Sequence, residues 1–341
     1  MRAPSSTRLV WLAPAAVLLA CTDRSELPLQ IQANRFAFSD WSEPVRLGAP
    51  VNLPTANDQG PALSSDNLSL YFCSNRPGGS GGNDLWVSRR GSEVDAWEEP
   101  VNLGPGVNSA GGDCGPSLSV DGRLLFFTSN RTGGAGGNDL YMSSRTDPTD
   151  DLVWGTPVRL GPEINTTATE FSPFVTRFRG DCAGGHEEDN DAGGDKEDDD
   201  DGDQVGGCVA ELYFERGSSN VATDIFVVTI DAQGTTLGAA TPVAEVNSSD
   251  ADGRPTVRFD GREMLLHSNR DGRVGNFDLF VSTRRSRHDP WSTPVPVDEL
   301  NSSPMHEIHP YLSRDGRTVV FVRGQGQAND IWMATRTPSG H

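Results

Sequence analysis

The chain has 341 residues with 28 basic and 48 acidic side chains, which gives a formal net charge of −20 at pH 7. Apolar residues make up 35% of it and glycine occupies 38 positions, a composition that is ordinary for a globular protein and excludes disorder throughout. The excess of acid also argues against a nucleic-acid partner, because phosphate recognition requires clustered lysine and arginine.

The N-terminal segment predicts a lipoprotein signal peptide over residues 1–20. Two arginines precede the apolar stretch Leu9–Ala20, which is too short to span a bilayer, since a spanning helix takes about 20 residues. The sequence Leu18-Leu19-Ala20-Cys21 matches the bacterial lipobox and predicts lipidation of Cys21, with an ordinary secretory signal as the alternative. The chain would then be lipid-anchored in the bacterial cell envelope, with the outer membrane favoured, and residues 21–40 would form a tether.

A phrase of the form Trp-x-x-Pro-Val recurs through the rest of the chain. It begins at Trp41, Trp97, Trp154 and Trp291, and a copy without tryptophan spans Ala239–Val243. Each copy leads into an acid followed three residues later by proline, then an apolar strand and a last strand. Three copies have a Ser-Asn-Arg sequence and a glycine-rich loop between these two strands. Several units also carry Asp-Gly, which supplies the positive φ of a tight hairpin. Four short strands in a unit of about 50 residues, without helical periodicity, predict the blade of a β-propeller.

The repeated phrase P-x-L-S-x-D-G-R-x-L-x-F-x-S-N-R-x-G-G-x-G-G-x-D-L-Y resembles the WD40-like propeller repeat of TolB-type periplasmic proteins. The copies predict an all-β fold over residues 41–341, a single β-propeller of five four-stranded blades, with six blades as the alternative. The first phrase precedes any complete blade and the last blade lacks one, so an N-terminal strand is expected to close the ring. The resemblance implies a protein that binds partners.

Arginine and aspartate recur around the loop between the second and third strands. Because one active site needs one set of residues, a feature of every blade is interpreted as structural, here as a charge pair that holds the loop. Its alternative partners are backbone groups or the acid of the neighbouring blade. The pairs are Arg76 and Asp84, Arg131 and Asp139, Arg216 and Asp224, Arg270 and Asp278, and Arg323 and Asp330.

A second ring of repeated acids precedes the first strand of each blade and is expected at the mouth of the central channel. Its members are Asp58, Asp113, Glu170, Asp252 and Glu307. Carboxylate oxygens are ligands for hard cations, so calcium is a possible ligand, and no other cofactor is predicted. The favoured alternative is that each acid pairs with a repeated arginine, because unpaired like charges at close range are costly.

An acidic insertion at residues 178–207 interrupts the third blade and is predicted to be disordered, because its charge is high and its hydrophobicity low. Cys182 and Cys208 bracket the acidic run and are predicted to form a disulfide that holds its neck. Cys73 and Cys114 are predicted to pair as well, since both lie toward the same face in adjacent blades.

These features favour a non-enzymatic envelope lipoprotein that contacts the membrane through its anchor and binds an envelope protein or a glycan. A glycan-active enzyme is the alternative, since five-bladed propellers include glycosidases. Those enzymes need two carboxylates about 5–9.5 Å apart. Because the acids here are repeated in every blade, no catalytic residue is predicted. A calcium-stabilised structural protein is a third hypothesis.

Overall fold

The computed structural model describes residues 38–179, 207–217, 223–325 and 328–338, which form five antiparallel sheets of four strands each. The predicted all-β propeller with five blades is confirmed, and the six-bladed alternative is wrong. No described segment is helical, so none of them forms an apolar helix of membrane-spanning length. The predicted signal peptide, Cys21 and Cys182 lie outside the described residues, as do residues 180–206 of the acidic insertion.

Each blade runs from an inner strand at the channel to an outer strand at the rim. Blade 1 contains β2 (Asp58–Leu63), β3 (Ser69–Ser74), β4 (Asp84–Arg89) and β5 (Val101–Asn102). Blade 2 contains β6 (Asp113–Leu118), β7 (Leu124–Ser129), β8 (Asp139–Ser144) and β9 (Val158–Arg159). Blade 3 contains β10 (Thr169–Val175), β11 (Val209–Gly217), β12 (Thr223–Asp231) and β13 (Thr241–Pro242). Blade 4 contains β14 (Asp252–Val257), β15 (Glu263–Ser268), β16 (Asp278–Thr283) and β17 (Val295–Pro296). Blade 5 contains β18 (His306–Leu312), β19 (Thr318–Gln325), β20 (Ala328–Thr335) and the early strand β1 (Val45–Arg46).

The core lies between neighbouring blades, because each middle strand is covered on both faces. All six residues of β3 are buried, and Tyr71 and Leu85 of blade 1 pack against Leu125 and Phe127 of blade 2. Strands buried on both faces lack an alternating polar pattern, which explains the continuous apolar runs in the sequence. Packing of blade on blade therefore supplies the hydrophobic stabilisation of the ring.

Strand β1 completes the last blade and closes the ring. Val45 pairs with Met333 and Arg46 with Trp332 in antiparallel register with β20. The Arg46 guanidinium also binds the Asp330 carboxylate through two nitrogens, each 2.7 Å from an oxygen. The predicted closure by the N-terminal strand is therefore confirmed, and blade 5 has the same four strands as the other blades, with β1 covering β20 as its outer strand.

Candidate active site

A cavity of about 530 Å³ opens at the end of the channel where the inner strands begin. The first residues of the inner strands line it, together with residues at the ends of the second strands and the loops that precede the third strands. The lining residues used below are Gly115, Phe171, Ser172, Glu215, Thr223, Arg254, His267, Phe277, His306 and His309, and four asparagines, Asn83, Asn138, Asn276 and Asn329.

A proline in every inner strand shapes the floor of this cavity. The pairing of inner and second strands is irregular at this proline in all five blades, as between Gln59 and Ala62 in blade 1. Proline has no N–H to donate to the ladder, which favours a bulge at its position. The residue before each proline has a positive φ between 50° and 63°; these residues are Gly60, Gly115, Ser172, Arg254 and His309.

The five bulge residues share a backbone conformation and differ in chemistry. Glycine adopts a positive φ without strain, whereas arginine and histidine rarely do, and such strained residues cluster at functional sites. Blades 1 and 2 have glycine at this position and so place no side chain there, while blades 4 and 5 have Arg254 and His309. The propeller is therefore symmetric in backbone and asymmetric in chemistry at the cavity floor.

The Arg254 side chain extends across the channel toward blades 1 and 2. A β-carbon added at Gly60 would lie 2.8 Å from its Nη2, and one added at Gly115 would lie 2.8 Å from its Nη1. Its Nη1 also donates a hydrogen bond of 3.0 Å to the Ser172 hydroxyl. The two glycines are thus needed where they stand, because any larger residue would displace the guanidinium.

Glu215 brings a buried carboxylic acid to the same floor from the end of β11. Its residue is 8% exposed, and its carboxylate lies so close to Gly253 that a side chain there would collide with it. Burial raises the pKa of Glu215 to about 7, although the Thr223 hydroxyl and the Arg254 charge oppose the rise. An acid with this pKa holds its proton for a substantial fraction of the time near neutrality, which suits a proton donor.

Two histidines complete the group. The rings of His267 and His309 have centroids 5.7 Å apart, and the His309 backbone N–H donates to His267 Nδ1 at 3.4 Å. Burial, with the Arg254 charge second, lowers the pKa of His267 to about 3 and also lowers that of His309 well below its usual value. Both imidazoles are therefore neutral near neutrality. Within the described residues, His309 Nδ1 is buried and has no hydrogen-bond partner.

The rim of the cavity combines carboxamides with aromatic rings. Asn83, Asn138 and Asn276 stand in the loops before the third strands, and Asn329 near the start of β20 bonds the His306 ring at 2.7 Å. Phe171 and Phe277 supply apolar surface, and Phe277 meets the edge of His267 with ring centroids 5.4 Å apart. A lining of this kind fits a ligand with many hydroxyl groups and apolar ring faces, such as a sugar.

The five repeated acids are fully buried and ion-paired, so they are not ligands at the channel mouth. Each binds the repeated arginine of its own blade, and the nitrogen–oxygen distances are 2.7 Å for Arg76 and Asp58, 2.6 Å for Arg131 and Asp113, 3.1 Å for Arg216 and Glu170, and 2.8 Å for Arg323 and Glu307. Arg270 binds Asp252 in the same way. Across the described residues, no group of three or more His, Cys, Asp or Glu side chains is arranged to hold a metal ion.

The arginines and aspartates spaced along the loop do not pair with each other in the described ion pairs, which corrects the pairing predicted from their spacing. Asp84 accepts hydrogen bonds from the backbone N–H groups of Ser80 and Gly81. Asp278 accepts from Val274 and Gly275 in the same way. These aspartates therefore hold the glycine-rich loop through its backbone.

A disulfide joins Cys73 at the end of β3 to Cys114 at the start of β6, with the Cα atoms 5.0 Å apart. It ties blade 1 to blade 2 beside the cavity. Cys208 is also disulfide-bonded. Its pairing with Cys182 stays a prediction, because Cys182 lies outside the described residues.

Sequence reasoning missed the four residues at the cavity floor: Glu215, Arg254, His267 and His309. A signal was present in the residue two positions after each repeated acid, which reads Gly, Gly, Ser, Arg and His around the ring. The second-strand residues that pair with the position just before it differ as well; they are Cys73, Thr128, Glu215, His267 and Val322. A search for where the copies differ would have located the site.

No family model matches the chain, and no curated protein matches it in sequence. Among solved structures, it is similar to an α-L-arabinofuranosidase from Podospora anserina, with 12% identity, a TM-score of 0.53, and 88% of this chain and 98% of that chain covered. An α-L-arabinofuranosidase from Lactobacillus brevis has 14% identity and a TM-score of 0.53 over 87% of this chain and 98% of that chain. The catalytic domain of an α-L-arabinofuranosidase from Coprinopsis cinerea has 11% identity and a TM-score of 0.51, over 89% and 97% of the two chains.

These comparisons correct two interpretations of the sequence. The matched structures are glycoside-hydrolase propellers rather than TolB-type proteins. The prediction that the chain is not an enzyme is contradicted, because structures that share its fold over nearly their whole length are enzymes. Its premise also fails, since the cavity floor carries residues that are not repeated between blades. At 11% to 14% identity, the likeness itself shows the fold of a five-bladed β-propeller.

Proposed function

We propose that the protein is a glycan-cleaving enzyme whose cavity binds a sugar and whose proton donor is Glu215. The observation that carries this proposal is a buried carboxyl group at the cavity floor whose pKa is raised to about 7. Glycoside cleavage requires an acid that is still protonated near neutral pH, and burial is the usual means of raising its pKa. The asparagines and aromatic rings of the lining suit a sugar, and glycosidases share the fold; both observations support the same conclusion.

In the proposed reaction, the Glu215 proton passes to the glycosidic oxygen while the bond between that oxygen and the anomeric carbon breaks. A water molecule adds to the anomeric carbon and gives its proton to a base. Among the described residues that line the cavity, Glu215 is the one carboxylate, so a base must come from another chemical class. We assign this role to His309, because its imidazole is neutral and its Nδ1 has no hydrogen-bond partner among the described residues. Burial lowers the pKa of this imidazole, so it is a weak base and needs the attacking water to reach Nδ1.

The proposal is tested by replacing Glu215 with glutamine, which keeps the shape of the side chain and removes its proton. Wild type and variant are assayed for sugar release from a panel of aryl glycosides and plant and bacterial polysaccharides. We expect the variant to lose at least about 100-fold in activity, which is typical for removal of a general acid. The matched control is Glu98→Gln at an exposed position, which should retain full activity.

Two outcomes would contradict the proposal. One is a wild-type protein that binds sugars and releases none from any member of the panel. The other is a Glu215→Gln variant that is folded and as active as wild type.

We further propose, from the lipobox alone, that the enzyme is anchored through Cys21 and acts in the cell envelope.

A further inference from the structure

We propose that the sugar bound in the cavity carries a carboxylate, as a uronic acid does, and that Arg254 is the residue that binds it. This inference rests on the proposed function, since it names the class of substrate for the same cavity. It also assigns Arg254 a role that its position in the repeated fold does not require, because glycine or serine occupies that position in three other blades.

Arg254 differs from the repeated arginines in that its guanidinium forms no ion pair at close range, although the Glu215 carboxyl group lies near enough for its charge to act on it. Within the described residues, no carboxylate lies within 4.0 Å of its guanidinium nitrogens, whereas the repeated arginine of every blade has one. Its residue is nevertheless only 7% exposed. A buried cation without a counter-ion is costly, so a site of this kind is completed by an anionic ligand.

The groups that face Arg254 compensate its positive charge only in part. Glu215 is the acid whose charge acts on it, and burial keeps much of that acid protonated at neutral pH. His267 and His309 are neutral, because burial and the Arg254 charge both lower their pKa values. The cavity floor is therefore electropositive in a chain whose formal net charge is −20.

The position of the guanidinium is built into the fold. Gly60 and Gly115 provide the space that the side chain occupies, and the Ser172 hydroxyl accepts one of its N–H groups. The backbone of Arg254 itself holds a φ of 50°, which is unfavourable for a residue with a long side chain. The remaining N–H groups of the planar fork match the two oxygens of a carboxylate.

The rest of the cavity selects a sugar rather than a free anion. Its volume of about 530 Å³ exceeds what a small ion needs and lies in the range of pockets that hold small organic ligands. The asparagine side chains at the rim can bond ring hydroxyls, while Phe171 and Phe277 can pack against the apolar face of a sugar ring. A uronic acid satisfies the guanidinium and the rim together.

The test measures binding, so it does not depend on turnover. Purified protein is titrated by calorimetry with glucuronate and galacturonate, with their methyl esters, with glucose and galactose, and with acetate and phosphate. We expect a uronate to bind at least about 10-fold more tightly than its ester, the neutral sugar or the simple anions, since hydrogen bonds between charged groups are the stronger ones. Arg254→Gln should remove this preference, whereas the control Arg177→Gln, at the opposite end of the channel, should keep it.

Equal binding of a uronate and its methyl ester by wild type would overturn the inference, and this comparison needs no variant. A folded Arg254→Gln protein that keeps the preference would overturn it as well, as would acetate or phosphate binding as tightly as the uronate. Cleavage of neutral glycans with no uronate preference would overturn this inference and leave the proposed function standing. A uronate preference without cleavage of any glycan would do the reverse.

Discussion

At the scale of single residues, the candidate site arises where the copies of the repeat differ. The sequence predicts the repeated acid and proline of each inner strand, and the structure shows that this proline produces the bulge. The residue directly before the proline differs between blades, so a pattern built from what the copies share does not reveal it. Glu215 was harder still to find, since its depth of burial, which raises its pKa, depends on how blades 3 and 4 meet.

The raised pKa of Glu215 predicts a pH-dependent effect of its replacement on stability. An unfolded glutamate has a pKa near 4.5 and the folded one a pKa of about 7, so the unfolded state releases its proton first as pH rises. The folded state therefore loses stability between these values. Glu215→Gln should gain about 2 kcal/mol relative to wild type between about pH 5 and about pH 8.

Denaturant unfolding of both proteins at the two pH values measures this gain. His267 and His309 are present in both proteins, so the pH dependence that they cause on their own largely cancels in the comparison. Thr223, Arg254 and Asp252 face Glu215 and are also unchanged in both. The exposed control Glu98→Gln should differ from wild type by the same amount at both pH values, and a Glu215→Gln difference that does not change with pH would contradict the assignment.

At the scale of elements, the sequence predicts the order of the strands, but it predicts the contacts between strands only in part. The tryptophan of the repeated phrase precedes an outer strand, and an arginine stacks on its ring. The distance from the arginine Cζ to the ring centre is 4.4 Å for Arg90 and Trp97 and 4.1 Å for Arg284 and Trp291. No spacing in the sequence indicates this pairing. An asparagine that follows each outer strand bonds the backbone of the third strand, as Asn108 does with Leu85.

The bond between Cys73 and Cys114 is expected to stabilise the junction of blades 1 and 2. It links β3 to β6 across 41 residues of chain, and it constrains the unfolded chain more than the folded one. Replacing both cysteines with serine should lower the free energy of unfolding by about 2–4 kcal/mol. Calorimetric or denaturant unfolding measures the loss.

Adding a reductant to the wild-type protein provides the control. It should weaken the wild type further than the double serine variant, since only the wild type still has this bond to lose. A double variant as stable as the oxidised wild type would show that the bond does not stabilise the junction.

At the scale of the whole molecule, the ring could be predicted because each repeat forms one blade and the terminal strands are complementary. The site could not be predicted at this scale, since it requires side chains from blades 3, 4 and 5 to meet at the axis. The described structure joins the ends of the ring through Asn52, whose side chain bonds the backbone of Ile331 over a separation of 279 residues. Asn108 makes the same pair of bonds to Leu85 within the neighbouring part of the chain.

Asn52→Ala and Asn108→Ala therefore form a matched pair of tests of ring closure. Each removes side-chain partners from a buried backbone group, at a cost of about 1–3 kcal/mol. We expect Asn52→Ala to speed hydrogen exchange in β1 and β20, because it loosens the closing strand, while Asn108→Ala should leave both strands protected. Hydrogen exchange followed by mass spectrometry distinguishes the two, and equal protection of β20 in both variants would contradict this role for Asn52.

The Tyr311 side chain separates the cavity from the other end of the channel. It packs against the core clusters of several blades near the axis, and the cavity shares no lining residue with the small recess at the other end of the channel. In the part of the chain that the structure describes, the cavity is therefore a blind well rather than a tunnel. A polysaccharide cannot thread through it and can offer only a chain end or the tip of a branch. Under the proposed function, degradation would proceed inward from such ends, releasing small products while the backbone between branches stays uncut.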